Sequence, residues 1–191
     1  NIFKNKNKTI GVFGFISQYK NFLQVVKVSI ENDYNLIIAG STHPTSINYG
    51  IQNAKNNTAK EISNEILKRK IKNYYIKTAP DDKHLISLIR EVDIVIIPYL
   101  ETGQSASGIA SLAIQYGKRV VFSDTELATE LSRFLNKKPV LFDVNSDASL
   151  ASAIDDTLNT YNEKEIIFNG YNFSSNINSY LSSLEISEVS S

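Results

Sequence analysis

The chain has 191 residues, with 20 Lys+Arg against 20 Asp+Glu and so no formal net charge, and 42% of its residues are hydrophobic. That length suits one domain with a full-sized core and an appended terminal element. Neutrality removes the sequence-independent attraction to phosphate backbones, so no nucleic-acid partner is expected. Without any Cys there is no disulfide, thiolate metal site or cysteine nucleophile, and the two histidines, His43 and His84, are too few for a histidine-rich metal site. The longest apolar runs, such as Ile94–Leu100, fall far short of the roughly 20 residues that span a bilayer, so the chain reads as soluble with no transmembrane segment. It begins Asn1-Ile2-Phe3, with neither an initiator Met nor a secretory leader, and reads as a processed chain or as a piece cut from a longer protein.

Along the chain, two apolar patterns alternate. Thr9–Phe15 is a near-continuous β-branched and aromatic run and predicts a strand; Phe22, Val25, Val26, Val28 and Ile30 then follow at helical spacing. Asn35–Ala39 predicts a second strand, Ala54–Lys70 a helix through Ile62, Ile66 and Leu67, and Tyr74–Lys77 a weaker strand. Asp81 and Asp82 precede a helix carrying Leu85, Ile86, Leu88 and Ile89, with their carboxylates at the positive end of its dipole. Asp93–Ile97 is the most hydrophobic strand, followed by a helix with Ile109, Leu112, Ala113 and Tyr116. Arg119–Phe122 and Val140–Phe142 predict the last two strands, separated by a helix over Leu127–Phe134; Ser146 to Ser149 lead into a helix with Leu150, Ile154 and Leu158. Strand runs apolar on both faces, alternating with helices, require crossover connections. The expected fold is α/β, a doubly wound, Rossmann-like sheet of six parallel strands. The expected division is a Rossmann-like domain over 1–160, with a C-terminal helix and frayed tail over 161–191.

In such a sheet, ligands bind beyond the carboxyl ends of the strands, which singles out a few loops. The loop Gly14-Phe-Ile-Ser-Gln-Tyr-Lys-Asn21 places Lys20 at a helix start, where an ammonium and free backbone N–H groups together suit a phosphate; the alternative is a solvated lysine. The fingerprint G-x-G-x-x-G is absent after the first strand, which disfavours a nicotinamide or flavin cofactor. Pro98-Tyr-Leu-Glu-Thr-Gly-Gln-Ser-Ala-Ser-Gly108 ends at a helix N-terminus where Ser105, Ser107 and Gly108 permit an anion cradle, or where Ser105 or Ser107 acts as an ordinary N-cap. His43, in Gly40-Ser-Thr-His-Pro44, is a candidate ligand contact or a solvated loop histidine; Asp93 and Asp124 flank strands and receive no catalytic role.

These loops, in this order, resemble the donor-binding C-terminal half of the retaining GT-B glycosyltransferases of family 4, also called group 1. The resemblance covers roughly Lys8–Leu158. It rests on Gly14–Asn21, on Leu36-Ile-Ile-Ala-Gly-Ser-Thr-His-Pro44, on Asp93-Ile-Val-Ile-Ile-Pro-Tyr99, and on Gln104-Ser-Ala-Ser-Gly108 followed by Gly117-Lys-Arg-Val-Val121 and Glu126 to Leu131. It implies a domain that binds a nucleotide sugar and works with an N-terminal GT-B half, from the same chain or a partner, to move a sugar onto a glycan or lipid-linked acceptor. Lys20 would bind the donor diphosphate, with Ser17 beside it and with Ser17 or Gln18 standing where the family has an arginine; Ser105, Ser107 and Gly108 would contact phosphates; His43 would contact the ligand; Lys77 and Thr78 would hold the base; Gln104 would face the transferred sugar as the catalytic position. No metal and no cofactor are implied. The family's paired glutamates fall at Gln104 and Leu112, so both carboxylates are missing, with Glu101 the nearest replacement for the first. That departure keeps a second reading open, a degenerate, non-catalytic binding or scaffolding module. The expected compartment is the cytoplasm, beside the inner membrane where glycan precursors are built, and the Asn-, Ile- and Lys-rich composition suggests a bacterial source.

Overall fold

The computed structural model describes residues 2–41, 52–69, 73–101, 103, 106–133, 135 and 137–160, with the side chains of 52–57 outside the description. His43, Gln104, Ser105 and the whole of 161–191 therefore lie outside the described residues. All six strands are present: β1 (Thr9–Phe13), β2 (Asn35–Gly40), β3 (Tyr74–Thr78), β4 (Ile94–Ile97), β5 (Val120–Ser123) and β6 (Val140–Phe142). They form one sheet in the order β3-β2-β1-β4-β5-β6, with every neighbouring pair parallel. Between them run α1 (Phe22–Glu31), α2 (Gln52–Lys68), α3 (Asp82–Glu91), α4 (Gly108–Tyr116) and α5 (Glu126–Ser132), and α6 (Asp147–Thr160) follows β6. The doubly wound parallel fold read from the sequence is the observed one.

The period-2 geometry of the strands explains why their sequences look uniformly apolar. Ile10, Val12, Leu36, Ile38, Ile94 and Ile96 point to one side, where they pack with Val25 and Val26 of α1, Ile62 and Ile66 of α2, and Leu150 and Ile154 of α6. Phe13, Ile37, Ala39, Val95 and Ile97 point to the other and meet Leu88 and Ile89 of α3, Ala110, Ala113 and Ile114 of α4, and Leu127 and Leu131 of α5. Each side chain buried this way contributes roughly 1.5–3 kcal/mol, so the two cores together hold the sheet between its helices. Only the edges break the pattern: on β3, Tyr74, Ile76 and Thr78 are exposed. Helix starts follow the expected caps, with Asp81 accepting from the His84 amide at 2.7 Å and the Ser146 hydroxyl accepting from the Ser149 amide at 3.1 Å. Asp93 is structural, taking the Thr9 amide at 2.9 Å and so tying the starts of β1 and β4 together.

One expectation is corrected. The first strand stops at Phe13 rather than Phe15, because Gly14 turns the chain at φ +103°, a conformation that side chains disfavour. Beyond that turn the loop still runs alongside the end of β2: the Gly14 amide donates to the Ala39 carbonyl and the Ile16 amide to the Ser41 carbonyl, both at 2.9 Å. A Cβ on Gly40 would lie 1.9 Å from the Gly14 carbonyl oxygen, so this close approach depends on Gly40 lacking one.

Candidate functional site

The strand order reverses between β1 and β4, whose outgoing loops part to opposite faces of the sheet and leave a crevice between them. Lys20 stands on the first of these loops and Tyr99 and Ser107 on the second. Lys20 ends a short 3₁₀ turn, Gln18–Lys20, that precedes α1, and Asn21 reverses the chain into the helix at φ +47°. This turn drives the lysine inward: Lys20 is 4% exposed, so the solvated alternative does not hold. Its Nζ donates to the Tyr99 hydroxyl at 2.8 Å and lies 4.5 Å from the centre of that ring, a position set by the hydroxyl rather than by the ring face. Among the described residues no carboxylate pairs with it, and burial alone pulls its pKa down from 10.5 to about 8.

Tyr99 is itself buried, at 4% exposure, and its hydroxyl lies 3.2 Å from the Ser107 Oγ. Burial pushes the phenol well above its ordinary pKa, so it stays protonated at any physiological pH. Its backbone is fixed from two sides: the Ser123 hydroxyl at the end of β5 donates to the Tyr99 carbonyl at 2.6 Å, and the Leu100 amide donates to the Tyr19 carbonyl at 2.7 Å. The Tyr19 and Tyr99 rings meet edge to face, 5.8 Å apart. Ser107 is the N-cap of α4, its Oγ accepting from the Ala110 amide at 3.2 Å, so the capping reading holds and Ser107 also stands beside the lysine. Gly108, the first residue of α4, is exposed, and a Cβ added there would meet nothing within 4 Å. The Gly108 and Ile109 amides, in the first turn of the helix, have no intrahelical carbonyl to donate to.

Next to this cluster is a cleft of about 200 Å³ over the ends of β1, β2 and β3, lined among others by Gly14, Gly40, Ser41, Ala79, Pro80, Asp82 and Ile109. Gly14 joins the two parts, since a Cβ on it would come within 3.0 Å of the Lys20 Nζ and 2.8 Å of Ile109. Lys77 and Thr78 end β3 just before Ala79; they do not themselves line the cleft, Lys77 being half-buried and Thr78 exposed. Ser17 precedes the 3₁₀ turn with its Oγ buried and without a partner among the described residues. Glu101 turns away from this cluster, its two carboxylate oxygens accepting from the Gly103 and Glu126 amides, both at 2.8 Å. Leu112 packs half-buried against the core under α4 and presents no polar group. The structure thus brings Lys20, Ser107 and Gly108 together. Sequence reasoning missed Tyr99 and Ser123; the available signal was the position of Tyr99 directly after the central strand β4, across the crevice from Lys20.

No protein-family model and no curated protein sequence matches the chain. Its α/β fold is nevertheless shared with solved GT-B glycosyltransferases. HepE from Anabaena, solved in complex with UDP-glucose, superposes with a TM-score of 0.66 at 16% identity, over 84% of this chain and 42% of that one. The E. coli trehalose-6-phosphate protein bound to UDP-2-fluoro glucose gives 0.65 at 16% identity, over 84% and 38%. The C-terminal domain of the group 1 glycosyl transferase LpcC from Francisella tularensis gives 0.56 at 18% identity, over 79% and 75%. The chain thus spans about two fifths of the full-length structures and three quarters of the isolated domain. Among the described residues no helix is long and apolar enough to cross a membrane.

Proposed function

We propose that the chain is the donor-binding, C-terminal half of a retaining GT-B glycosyltransferase of family 4, holding an NDP-sugar whose sugar passes to a glycan or lipid-linked acceptor supplied from an N-terminal half. The observation that carries this reading is the Lys20 ammonium, buried at the switch point with no carboxylate partner among the described residues and linked through Tyr99 to Ser107, the N-cap of α4. A buried cation without a counter-ion is costly, and a diphosphate supplies the missing charge. The diphosphate lies between Lys20 and the amides of Gly108, while the nucleoside occupies the cleft toward β3, where the Asp82 carboxylate offers an acceptor for ribose hydroxyls and the backbone after Lys77 and Thr78 reads the base. As the sugar departs, negative charge grows on the leaving diphosphate, and Lys20 with the helix N-terminus stabilises it. His43, Ser105 and Gln104 keep in this reading the ligand, phosphate and sugar contacts that the family resemblance implies, and neither metal nor cofactor takes part. The enzyme would work in the cytoplasm at the inner membrane surface.

A second reading, a non-catalytic binding module, is favoured by Leu112, which packs on the core where a ribose-binding carboxylate would stand, and by Glu101, whose carboxylate is committed to backbone amides. The test is a titration of the chain with UDP, GDP and ADP and their sugar conjugates, followed by thermal unfolding. A ligand at 100 times its Kd adds about 2.7 kcal/mol of stability, a shift of several degrees. Lys20→Ala and Gly108→Val should each weaken the shift, the second by adding a side chain where nothing lies within 4 Å among the described residues. No shift with any nucleotide at millimolar concentration would sink the donor-domain reading for this chain.

A further inference from the structure

The groups around Lys20 leave little freedom in where their hydrogens lie. A lysine ammonium has three N–H donors and no acceptor, so at the 2.8 Å contact the Tyr99 oxygen must be the acceptor. The Tyr99 proton then has to point along its other contact, to the Ser107 Oγ at 3.2 Å. Ser107 already accepts from the Ala110 amide, so both of its lone pairs are taken and its own proton has no acceptor among the described residues. We infer that Tyr99 is a positioning residue that sets a one-way proton order, Lys20 to Tyr99 to Ser107, so that the two remaining N–H groups of Lys20, the Ser107 hydroxyl and the amides opening α4 are all presented as donors. An array with donors only, and a net positive charge, favours an oxyanion, whose lone pairs all accept, over a neutral hydroxyl, whose own proton finds no acceptor there. This rests on the donor-site reading above and narrows it: the recognised element is the diphosphate, and its recognition is organised by a side chain that does not itself touch the ligand.

The order has a second consequence. If Lys20 loses its proton, its nitrogen becomes an acceptor, the Tyr99 proton turns to it, and the Ser107 proton turns to Tyr99. The site then loses its cation and its hydroxyl donor in the same step. The titratable side chains facing the ammonium are Tyr19, whose ring centre is 5.8 Å away, and Tyr99; α4 contributes the uncharged Ser107 and Ile109, and the first loop Gly14. Within the relay, burial brings the Lys20 pKa down to about 8 and pushes that of Tyr99 up.

The test follows Lys20 in the 191-residue chain by NMR of isotope-labelled lysine across pH, in the wild type, Tyr99→Phe and Ser107→Ala, alongside titration with inorganic pyrophosphate at each pH. Tyr99→Phe removes the acceptor that favours the ammonium, and Ser107→Ala leaves the Tyr99 proton only Lys20 to bond, which favours the neutral amine. Both should lower the Lys20 pKa by about one unit, the size of one hydrogen bond to a charged group. The pH at which pyrophosphate binding is lost should move down with it. A Lys20 pKa unchanged in both variants, even with a lowered Tm, would show Tyr99 to be packing alone and overturn the inference. Should Tyr99→Phe fail to fold, Ser107→Ala decides by itself, since it leaves Tyr99 in place. Absence of pyrophosphate binding in the wild type would refute the donor-site reading, and the Lys20 titration of the ligand-free chain would still settle the relay.

Discussion

The buried lysine makes the ligand-free protein less stable than it could be, and the penalty can be sized. Lys20 titrates at about 8 when folded and at 10.5 when unfolded. Below pH 8 both states carry the charge, and the folded state bears the full cost of holding it out of water. Between pH 8 and 10.5 the folded lysine is neutral while the unfolded one is still charged, so folding releases a proton and stability rises with pH. A gap of this size corresponds to about 3 kcal/mol, the most that can be recovered. Lys20→Met keeps the apolar stem and removes the charge, and Tyr99 keeps its bond to Ser107. The variant should therefore be more stable than the wild type at pH 7, by up to about 3 kcal/mol, with the advantage shrinking toward zero near pH 10. It should also lose diphosphate binding. Urea unfolding at pH 7 and pH 9.5, with the two proteins compared at each pH, measures this. A Lys20→Met protein less stable than the wild type at pH 7, or a difference independent of pH, would refute the desolvation argument.

Three further outcomes follow from the same geometry. The affinity for pyrophosphate should fall about tenfold per pH unit above the Lys20 pKa, because binding then requires proton uptake, and calorimetry in buffers of different ionisation enthalpy detects that proton. Gly40→Ala places a Cβ 1.9 Å from the Gly14 carbonyl oxygen, so it should cost about 1–3 kcal/mol in urea unfolding and, by moving the loop that carries Lys20, weaken pyrophosphate binding as well; wild-type behaviour in both would count against the close approach. Ser123→Ala takes a donor from the buried Tyr99 and Ile97 carbonyls and should cost about 1–2 kcal/mol in urea unfolding, with a loss of pyrophosphate affinity if the Tyr99 backbone shifts.

Much of the fold was legible because both faces of the central strands are buried. Residues such as Ile37 and Ile38, or Val95 and Ile96, point to opposite cores, and the chain records this as an unbroken apolar run. The edge strand β3, with one face open, gave a weaker signal for the same reason. The order of the strands was not in the local pattern, since periodicity reports which faces are buried but not which strand lies beside which. Lys20 could be picked out from its place in the loop after β1, but its burial could not, because the partner that draws it inward is on another loop. Tyr99, following an apolar strand, reads as one more core aromatic; only its hydroxyl contacts with Lys20 and Ser107 separate it from Phe122 or Phe142. The committed Glu101 carboxylate was equally hidden, since Glu126, whose amide it accepts, lies far along the chain.

The Lys20–Tyr99 contact joins residues 79 positions apart. It can form only once β4 has docked against β1, so while the chain is still assembling, the lysine stays hydrated and imposes no penalty. Closing the chain between these residues carries an entropy cost, and the ammonium is desolvated only when that closure is made. The penalty of burying it therefore belongs to the assembled protein, where a mutation or a bound anion can relieve it.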